Sequence, residues 1–301
     1  DERYLDLPPD VIVIAMRSHQ RYVALTTPGG RLVPRFFTFT DGKVLGAPEV
    51  VRGNERVLRA RLEDAEFYWR EDVKRGVDGL SDELDRIVFI EGLGSIGQKW
   101  RRVLDVAREI NARLPAGQRV DDARLARAAR LAKADLASSM IRDGKEFTSL
   151  QGVSGAQYAA AGGEPDEVVA AIREHYAPRA GSDPLPASTG GRILGMADRL
   201  DTIAGCFLAG LKPSGSQDPY ALRRGANGAV RLACELPGLR LDQMLDLAGR
   251  SYGSVLSGDE FDERWTRKRA GVELAEFMRG RVEAFLKEQG IPYDVADAVL
   301  P

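Results

Sequence analysis

Histidine and cysteine are scarce in this chain, which has two of each among its 301 residues. Cys206 and Cys234 lie in apolar segments with a helical pattern, where a free thiol behaves as a small hydrophobic side chain, so no disulfide framework is expected. The two histidines, His19 and His175, cannot complete the ligand set of a hydrolytic metal centre. Neither histidine stands in a motif with a serine or cysteine nucleophile, which excludes a recognisable catalytic triad.

Long apolar runs and an excess of charge of one sign are also lacking. No segment has the length of a membrane span, and 43 basic residues are balanced by 45 acidic ones. The whole chain therefore has no bulk attraction for nucleic acid or membranes, and we expect a cytoplasmic protein in a reducing compartment. One window, residues 95–135, holds 10 basic and 5 acidic residues. This window is either a local RNA-binding surface or a solvated helical face.

Nucleotide-binding loops are absent as well. The chain has no Gly-x-x-x-x-Gly-Lys-Ser/Thr loop. The segment Gly92–Gly97 has the spacing Gly-x-Gly-x-x-Gly, but the parallel βαβ pattern that gives this spacing its meaning does not follow it. We interpret this segment as a tight turn that leads into a helix.

What is present is mostly helical periodicity after a short strand-rich start. The β-branched run Val11–Ile14 and the segments 21–26 and 32–40 predict strands, with a turn at residues 28–30 between the second and third. From residue 53 onward, apolar residues recur at spacings near three and four, which predicts a mainly α fold. The predicted helices are 54–75, 81–91, 96–113, 121–141, 155–161, 165–176, 188–210, 219–235, 241–255 and 263–289.

The segment 212–231 carries the most specific chemistry. Two prolines and a glycine predict a rigid turn, and Asp218 is placed to cap a helix that begins at Pro219. Arg223 and Arg224 then lie about one turn inside that helix, near an N-terminus where guanidinium groups and unsatisfied backbone N–H groups both favour an anion such as phosphate. The alternative is a capped helix whose arginines pair with nearby carboxylates.

Seven blocks of the chain resemble the β subunit of the bacterial two-subunit glycyl-tRNA synthetase. The most specific is the family's Ser/Thr-Gly-Ser-x-Asp-Pro-Phe-Ala-Leu-Arg-Arg block, in which this chain has Tyr220 in place of Phe. The other blocks follow in the family's order: Arg52–Phe67, Leu93–Lys99, Ala132–Leu136, Glu146–Gly152, His175–Arg179 and Ala197–Gly205. The resemblance implies that the chain is a fragment of such a β subunit.

The resemblance also implies a function. In this family the separate α subunit carries the catalytic site and uses ATP and Mg²⁺, while the β subunit contributes tRNA binding and assembly. The expected partners are therefore glycine tRNA and the α subunit, with no membrane, no cofactor and no catalytic residue in this chain. As tRNA-binding candidates we take first Lys212, Arg223 and Arg224, and then Lys99, Arg101 and Arg102.

The central helical region also resembles the HD domain, whose active members hold a metal through histidine and aspartate and hydrolyse phosphoesters. Asp198 matches the later aspartate of the HD pattern, and Asp135 stands where a His-Asp pair would be. Lys133 replaces the histidine at that place and would add positive charge beside a cation. We therefore expect a degenerate HD-like domain without metal, and a metal-dependent HD phosphohydrolase is the alternative function.

Two further interpretations follow from these residues. Asp198 and Asp201 could form one internal salt-bridge network with Arg223 and Arg224 that joins two helices. His175, at the end of a helix, could carry a favourable positive charge there. The expected organisation is a β-rich segment at 1–50, the HD-like domain at 51–257 and a C-terminal helical extension at 258–301.

Overall fold

In a computed structural model, which describes residues 1–18, 21–40 and 47–299, the chain is mainly α-helical with one small antiparallel sheet. The predicted fold class is confirmed. His19 lies outside the described residues. None of the described helices combines the length and the apolar character that crossing a bilayer requires.

The N-terminal part contains helix α1 (Pro9–Arg17) and a hairpin of strands β1 (Val23–Thr26) and β2 (Leu32–Phe37). Val23 pairs with Phe37 and Thr26 with Leu32, so the two predicted strands and their turn are confirmed. The strand predicted at Val11–Ile14 is wrong, because this run lies in α1. Val11, Ile12, Ala15 and Met16 are buried on one side of the helix. Burial at helical spacing outweighs the β propensity of single residues here.

The longest helix, α2 (Ala47–Asp82), changes direction at Gly76, whose φ of 73° is non-helical. The predicted helix 81–91 is wrong. After a short 3₁₀ turn at Glu83–Arg86, Val88 forms an isolated antiparallel bridge with Ser95 across Gly92 and Gly94. Both glycines have positive φ, so this segment is the tight turn that we predicted.

Helix α3 (Ile96–Arg113) has the predicted bounds and begins with a capping box of Ser95 and Gln98. The single helix predicted at 121–141 is instead α4 (Asp122–Leu131), a 3₁₀ turn at Ala134–Ala137 and α5 (Ser139–Asp143), which Ser138 caps. The central region continues with the following helices: α6 (Val153–Ala161), α7 (Asp166–Glu174), α8 (Thr189–Leu208), α9 (Leu222–Cys234) and α10 (Leu241–Arg250).

Helix α8 is the centre of the main core, and it packs against α3, α7, α9, α10 and the later helix α12 (Ala270–Glu288). Its small residues allow this close packing. A Cβ atom at Gly195 would lie 2.8 Å from the backbone oxygen of His175, and one at Gly205 would overlap the hydroxyl of Tyr252. Two aspartates on this buried helix therefore lie deep inside the protein.

The C-terminal part contains α11 (Gly258–Asp262), a π-helical turn at Glu263–Arg267, helix α12 and α13 (Tyr293–Val299). The predicted helix 263–289 is thus interrupted at Arg269, whose φ of 60° is left-handed. Leu274 and Met278 of α12 belong to the main core. A smaller core joins α1 and the hairpin to the first half of α2 and to Met140–Leu150. The domain boundaries at 50 and 257 and the HD-like label stay predictions.

Candidate functional site

The six basic residues singled out from the sequence fall into two groups in the structure. Lys99 and Arg102 are buried, with 3% and 2% of their surface exposed. Arg101, Lys212 and Arg224 are exposed, and Arg223 is half-buried. The two groups differ in their partners, although the exposed Arg101 and the buried Arg102 are neighbours on α3.

The buried group faces helix α8. The Lys99 ammonium nitrogen Nζ lies 2.8 Å from Asp201 Oδ2, 2.8 Å from Thr202 Oγ1 and 3.1 Å from Asp198 Oδ1. All three groups belong to one turn of α8, so Lys99 ties α3 to that turn. No phosphate can reach this nitrogen in the conformation observed.

Arg102 completes the pairing of Asp201. Its Nε donates to Asp201 Oδ1 at 2.7 Å, and its guanidinium carbon lies 4.0 Å from the centre of the Tyr252 ring. The Tyr252 hydroxyl donates to the backbone oxygen of Asp201 at 2.9 Å. Burial by itself lowers the pKa of Arg102, but Asp201 and Tyr252 together outweigh burial, so the pKa is raised and the side chain stays charged. This pair is a buried, hydrogen-bonded ion pair.

Asp198 is held by a third cation. Lys133 Nζ donates to Asp198 Oδ2 at 2.8 Å and lies 3.7 Å from the centre of the Tyr176 ring. Burial would raise the pKa of Asp198, but the ammonium groups of Lys133 and Lys99 hold it well below its usual range. The carboxylate is therefore ionised and already neutralised from within the chain.

Asp135, the other degenerate HD position, has backbone partners instead. Its Oδ2 accepts hydrogen bonds from the N–H of Gly152 at 2.6 Å and of Gly155 at 3.3 Å. Burial raises the pKa of Asp135 to about 6, although these two hydrogen bonds and Lys133 lower it. Its carboxylate makes no hydrogen bond with Asp198 among the described residues.

His175 is also fully buried, and this corrects the interpretation that it carries a positive charge at the end of a helix. Burial is the main cause that lowers the pKa of His175 to about 3, and the positive charge of Lys133 is the second. Its Nδ1 lies 2.6 Å from the backbone oxygen of Ile172. The ring is therefore neutral near pH 7 and carries its proton on Nδ1.

The residues present do not fit a catalytic metal. Across residues 1–18, 21–40 and 47–299, no group of three or more His, Cys, Asp or Glu side chains is arranged to hold a metal ion. The carboxylate that the HD pattern would offer to a cation, that of Asp198, already forms an ion pair with the ammonium group of Lys133. We find no observation that favours the phosphohydrolase alternative.

The predicted internal network does exist, but its cations are different. Asp198 and Asp201 pair with Lys99, Arg102 and Lys133, not with Arg223 and Arg224. Sequence reasoning missed Tyr252 and the structural role of Lys133. One available signal was the matching spacing, since Lys99 and Arg102 on α3 and Asp198 and Asp201 on α8 are each three residues apart.

Three of the other four candidates, Lys212, Arg223 and Arg224, lie on a surface turn, which we define as residues 212–221 together with the first helical turn of α9. Arg101 lies on α3. Ser214 and Gln217 exchange two backbone hydrogen bonds, of 3.0 and 2.8 Å. The Asp218 carboxylate accepts from the backbone N–H groups of Leu222 at 2.8 Å and Arg223 at 2.9 Å. The Asp218 side chain therefore caps α9 as predicted, but the N-cap residue is Ala221 and not Asp218. The helix begins at Leu222 and not at Pro219, because Ala221 has a left-handed φ of 52°.

This cap changes how an anion could bind here. The first two N–H groups of α9, those of Leu222 and Arg223, already donate to a carboxylate, so a phosphate here would depend mainly on side chains. Arg223 Nη2 donates to the backbone oxygen of Gly215 at 2.8 Å, which fixes that guanidinium against the turn. Arg224 has no ion pair or hydrogen bond from its side chain within the described part of the chain.

The two remaining candidates are exposed but paired. Lys212 forms an ion pair with Glu273 of α12. Arg101 binds both oxygens of Asp85, at 2.7 and 3.0 Å. Exposed pairs of this kind contribute roughly 0–1 kcal/mol and exchange readily with other charged partners. Arg224 is therefore the candidate that is most available to a ligand.

Comparison with known proteins gives one consistent result. The sequence profile of the family described as glycyl-tRNA synthetase beta subunit matches residues 1–301. The chain is similar to the glycine–tRNA ligase beta subunits of Syntrophomonas wolfei, with 42% identity over 99% of this chain, and of Magnetococcus marinus, with 43% identity over 99%. It covers 42% and 41% of these two relatives, so it spans about two fifths of their length.

Proposed function

The chain belongs to the glycyl-tRNA synthetase beta subunit family, and from this premise we propose that it is a non-catalytic part of a cytoplasmic glycine–tRNA ligase. In this proposal it binds glycine tRNA and assembles with a separate α subunit, which carries the catalytic site and uses ATP and Mg²⁺. The non-catalytic role is supported by the buried aspartates Asp198 and Asp201, which are already paired with lysine and arginine.

The observation that carries the tRNA-binding proposal is the pair Arg223 and Arg224 on a rigid turn. Arg224 is exposed and has no partner within the described residues, while Arg223 is fixed by Gly215 and keeps donors free. Arginine in a fixed geometry suits phosphate, because its forked donors match two phosphate oxygens. Lys212, on the same turn, can join this surface by leaving its exposed partner Glu273. Arg101 is a separate exposed candidate on α3. We leave Lys99 and Arg102 out of the surface because both are buried.

The test is binding of glycine tRNA to the 301-residue chain across a salt series. We expect the double variant Arg223→Ala and Arg224→Ala to bind more weakly, with a log–log salt slope shallower by about 0.7–0.9 for each phosphate that the variant no longer binds. The matched control changes Arg240 and Arg250 to Ala. These two arginines pair with Asp242 and Asp246, and their replacement removes the same charge elsewhere.

An unchanged affinity and slope in the Arg223/Arg224 double variant would contradict the proposal. An equal loss of tRNA affinity in both double variants would show that tRNA binding depends only on the net charge of the chain. Assembly is tested separately, by sedimentation of the wild-type chain with the purified α subunit. Co-sedimentation is the expected result, and separate sedimentation at micromolar concentration would contradict assembly through this part of the β subunit.

A further inference from the structure

Tyr220 is an exposed aromatic side chain on the same turn as Arg224. It is 47% exposed, whereas Tyr4, Tyr22, Tyr158 and Tyr252 are buried. No hydrogen bond or ring contact of its side chain occurs within the residues that the structure describes. An aromatic ring left open to solvent, four residues from an arginine without a described partner, is a combination that needs an explanation.

The backbone under Tyr220 is fixed. The N–H of Ala221 donates to the backbone oxygen of Asp218 at 3.0 Å, which places Pro219 and Tyr220 at the two central positions of a turn. Proline fixes one backbone angle of that turn, and the carboxylate of Asp218 fixes its exit into α9. Because the backbone under the ring is already ordered, only the side-chain rotation of Tyr220 is restricted when the ring contacts a ligand.

Apart from Pro219, the exposed side chains on the turn that carries Tyr220 are polar. Ser216 and Gln217 are exposed on the same turn, and Leu222 behind it is buried. A protein-docking site would offer several apolar side chains around an aromatic anchor. A π-face beside hydrogen-bonding groups and a free guanidinium is instead typical of surfaces that bind single-stranded nucleic acid.

We propose that Tyr220 is a stacking platform for an unpaired nucleobase, in an RNA strand whose neighbouring phosphate binds Arg224. This inference rests on the proposed function and adds to it the class of RNA that the site takes, a single strand or an unpaired end. Stacking tolerates different bases because each base has a π-face. The turn therefore distinguishes unpaired from paired nucleotides and does not read a particular sequence.

The experiment compares two RNA probes on the 301-residue chain: a single-stranded 10-nucleotide RNA and a blunt-ended hairpin of about the same number of phosphates. We expect Tyr220→Leu to weaken binding of the single strand about tenfold and to leave hairpin binding within about twofold. Tyr220→Phe keeps the ring and should bind the single strand like the wild type. Arg224→Gln should weaken binding of both probes.

The control is Phe67→Leu, which removes another exposed ring, 62% exposed on α2 among carboxylates. It should leave both affinities unchanged. If Tyr220→Leu binds the single strand like the wild type while Arg224→Gln weakens both probes, stacking is overturned and the proposed function stands. If the wild-type chain binds neither probe at low salt, stacking and the RNA-binding part of the proposed function are both overturned. If Tyr220→Leu weakens only binding of the α subunit, the ring docks protein and stacking is overturned.

Discussion

Arg101 and Arg102 are neighbours on α3, and the structure uses them in opposite ways. Arg102 is 2% exposed and donates to Asp201, while Arg101 points to solvent and pairs with the exposed Asp85. The same difference separates the interior network of Lys99, Arg102 and Lys133 from the surface turn that carries Arg224. A buried cation needs a fixed anion, because desolvating an unpaired charge is very costly. A cation without an internal partner is tolerated at the surface, where it is available to a ligand.

The largest effect should come from removing Arg102. Arg102→Met leaves the Asp201 carboxylate buried beside Lys99 alone, so we expect the free energy of unfolding to fall by about 3–5 kcal/mol. Arg101→Met, one residue earlier, should change it by less than about 1 kcal/mol, because its pair is exposed on both sides. Urea denaturation of the two variants measures the difference directly. Equal destabilisation would remove the distinction between interior and surface cations.

The interior also predicts two opposite pH dependences. The pKa of His175 is lowered from 6.5 to about 3. The stability that its neutral form contributes is thus complete above pH 6.5 and is lost as the pH falls. On acidification from about pH 7 to about pH 4, His175→Gln should lose less stability than the wild type, by about 3 kcal/mol. The measurement is a series of urea denaturation curves at several pH values.

Asp135→Asn should change the pH dependence of stability in the opposite direction. Burial raises the pKa of Asp135 from 3.8 to about 6. The stability that the protonated carboxyl group contributes is therefore complete below pH 3.8 and is lost as the pH rises through 6. Removing it should make the loss of stability on acidification larger than in the wild type, by about 2 kcal/mol. Parallel curves for the wild type and both variants would show that neither group titrates in the folded protein as its burial predicts.

Local rules explain what could be predicted from the sequence. The bounds of α3, its Ser95 cap, the hairpin turn and the cap at Asp218 all depend on residues within a few positions of one another. Each of them was visible as a short motif. The surface turn could therefore be placed correctly, although the left-handed conformation of Ala221 moves the start of its helix by three residues.

Long-range pairing explains what could not be predicted. Lys99 and Arg102 look like surface residues, yet they lie on the apolar side of α3 with Ile96, Val103 and Val106. Their partners come about a hundred residues later, on a helix buried on almost all sides. Periodicity indicates which side of a helix faces inward, but it does not reveal which anion lies opposite. The interior network could therefore be recognised only once the fold was known.

A smaller effect is expected at the cap of the surface turn. Asp218→Ala removes the acceptor of two backbone N–H groups at the start of α9, which should lower the free energy of unfolding by about 1 kcal/mol. Asp218→Asn keeps one acceptor oxygen, so its free energy of unfolding should fall by less. Thermal or urea denaturation compares the two. If Asn is as damaging as Ala, the carboxylate acts through its charge and not as a hydrogen-bond acceptor.

The smallest effect should be that of Arg224 itself. Arg224→Gln removes a charge without a partner in the described chain, so the free energy of unfolding should stay within about 0.5 kcal/mol of the wild type. Arg127→Gln is the contrasting variant, because Arg127 binds both oxygens of Asp78 and joins α4 to α2. It should destabilise more than Arg224→Gln under the same denaturation conditions. A loss above about 1 kcal/mol in Arg224→Gln would mean that this guanidinium stabilises the fold, and the surface turn would then resemble the interior network.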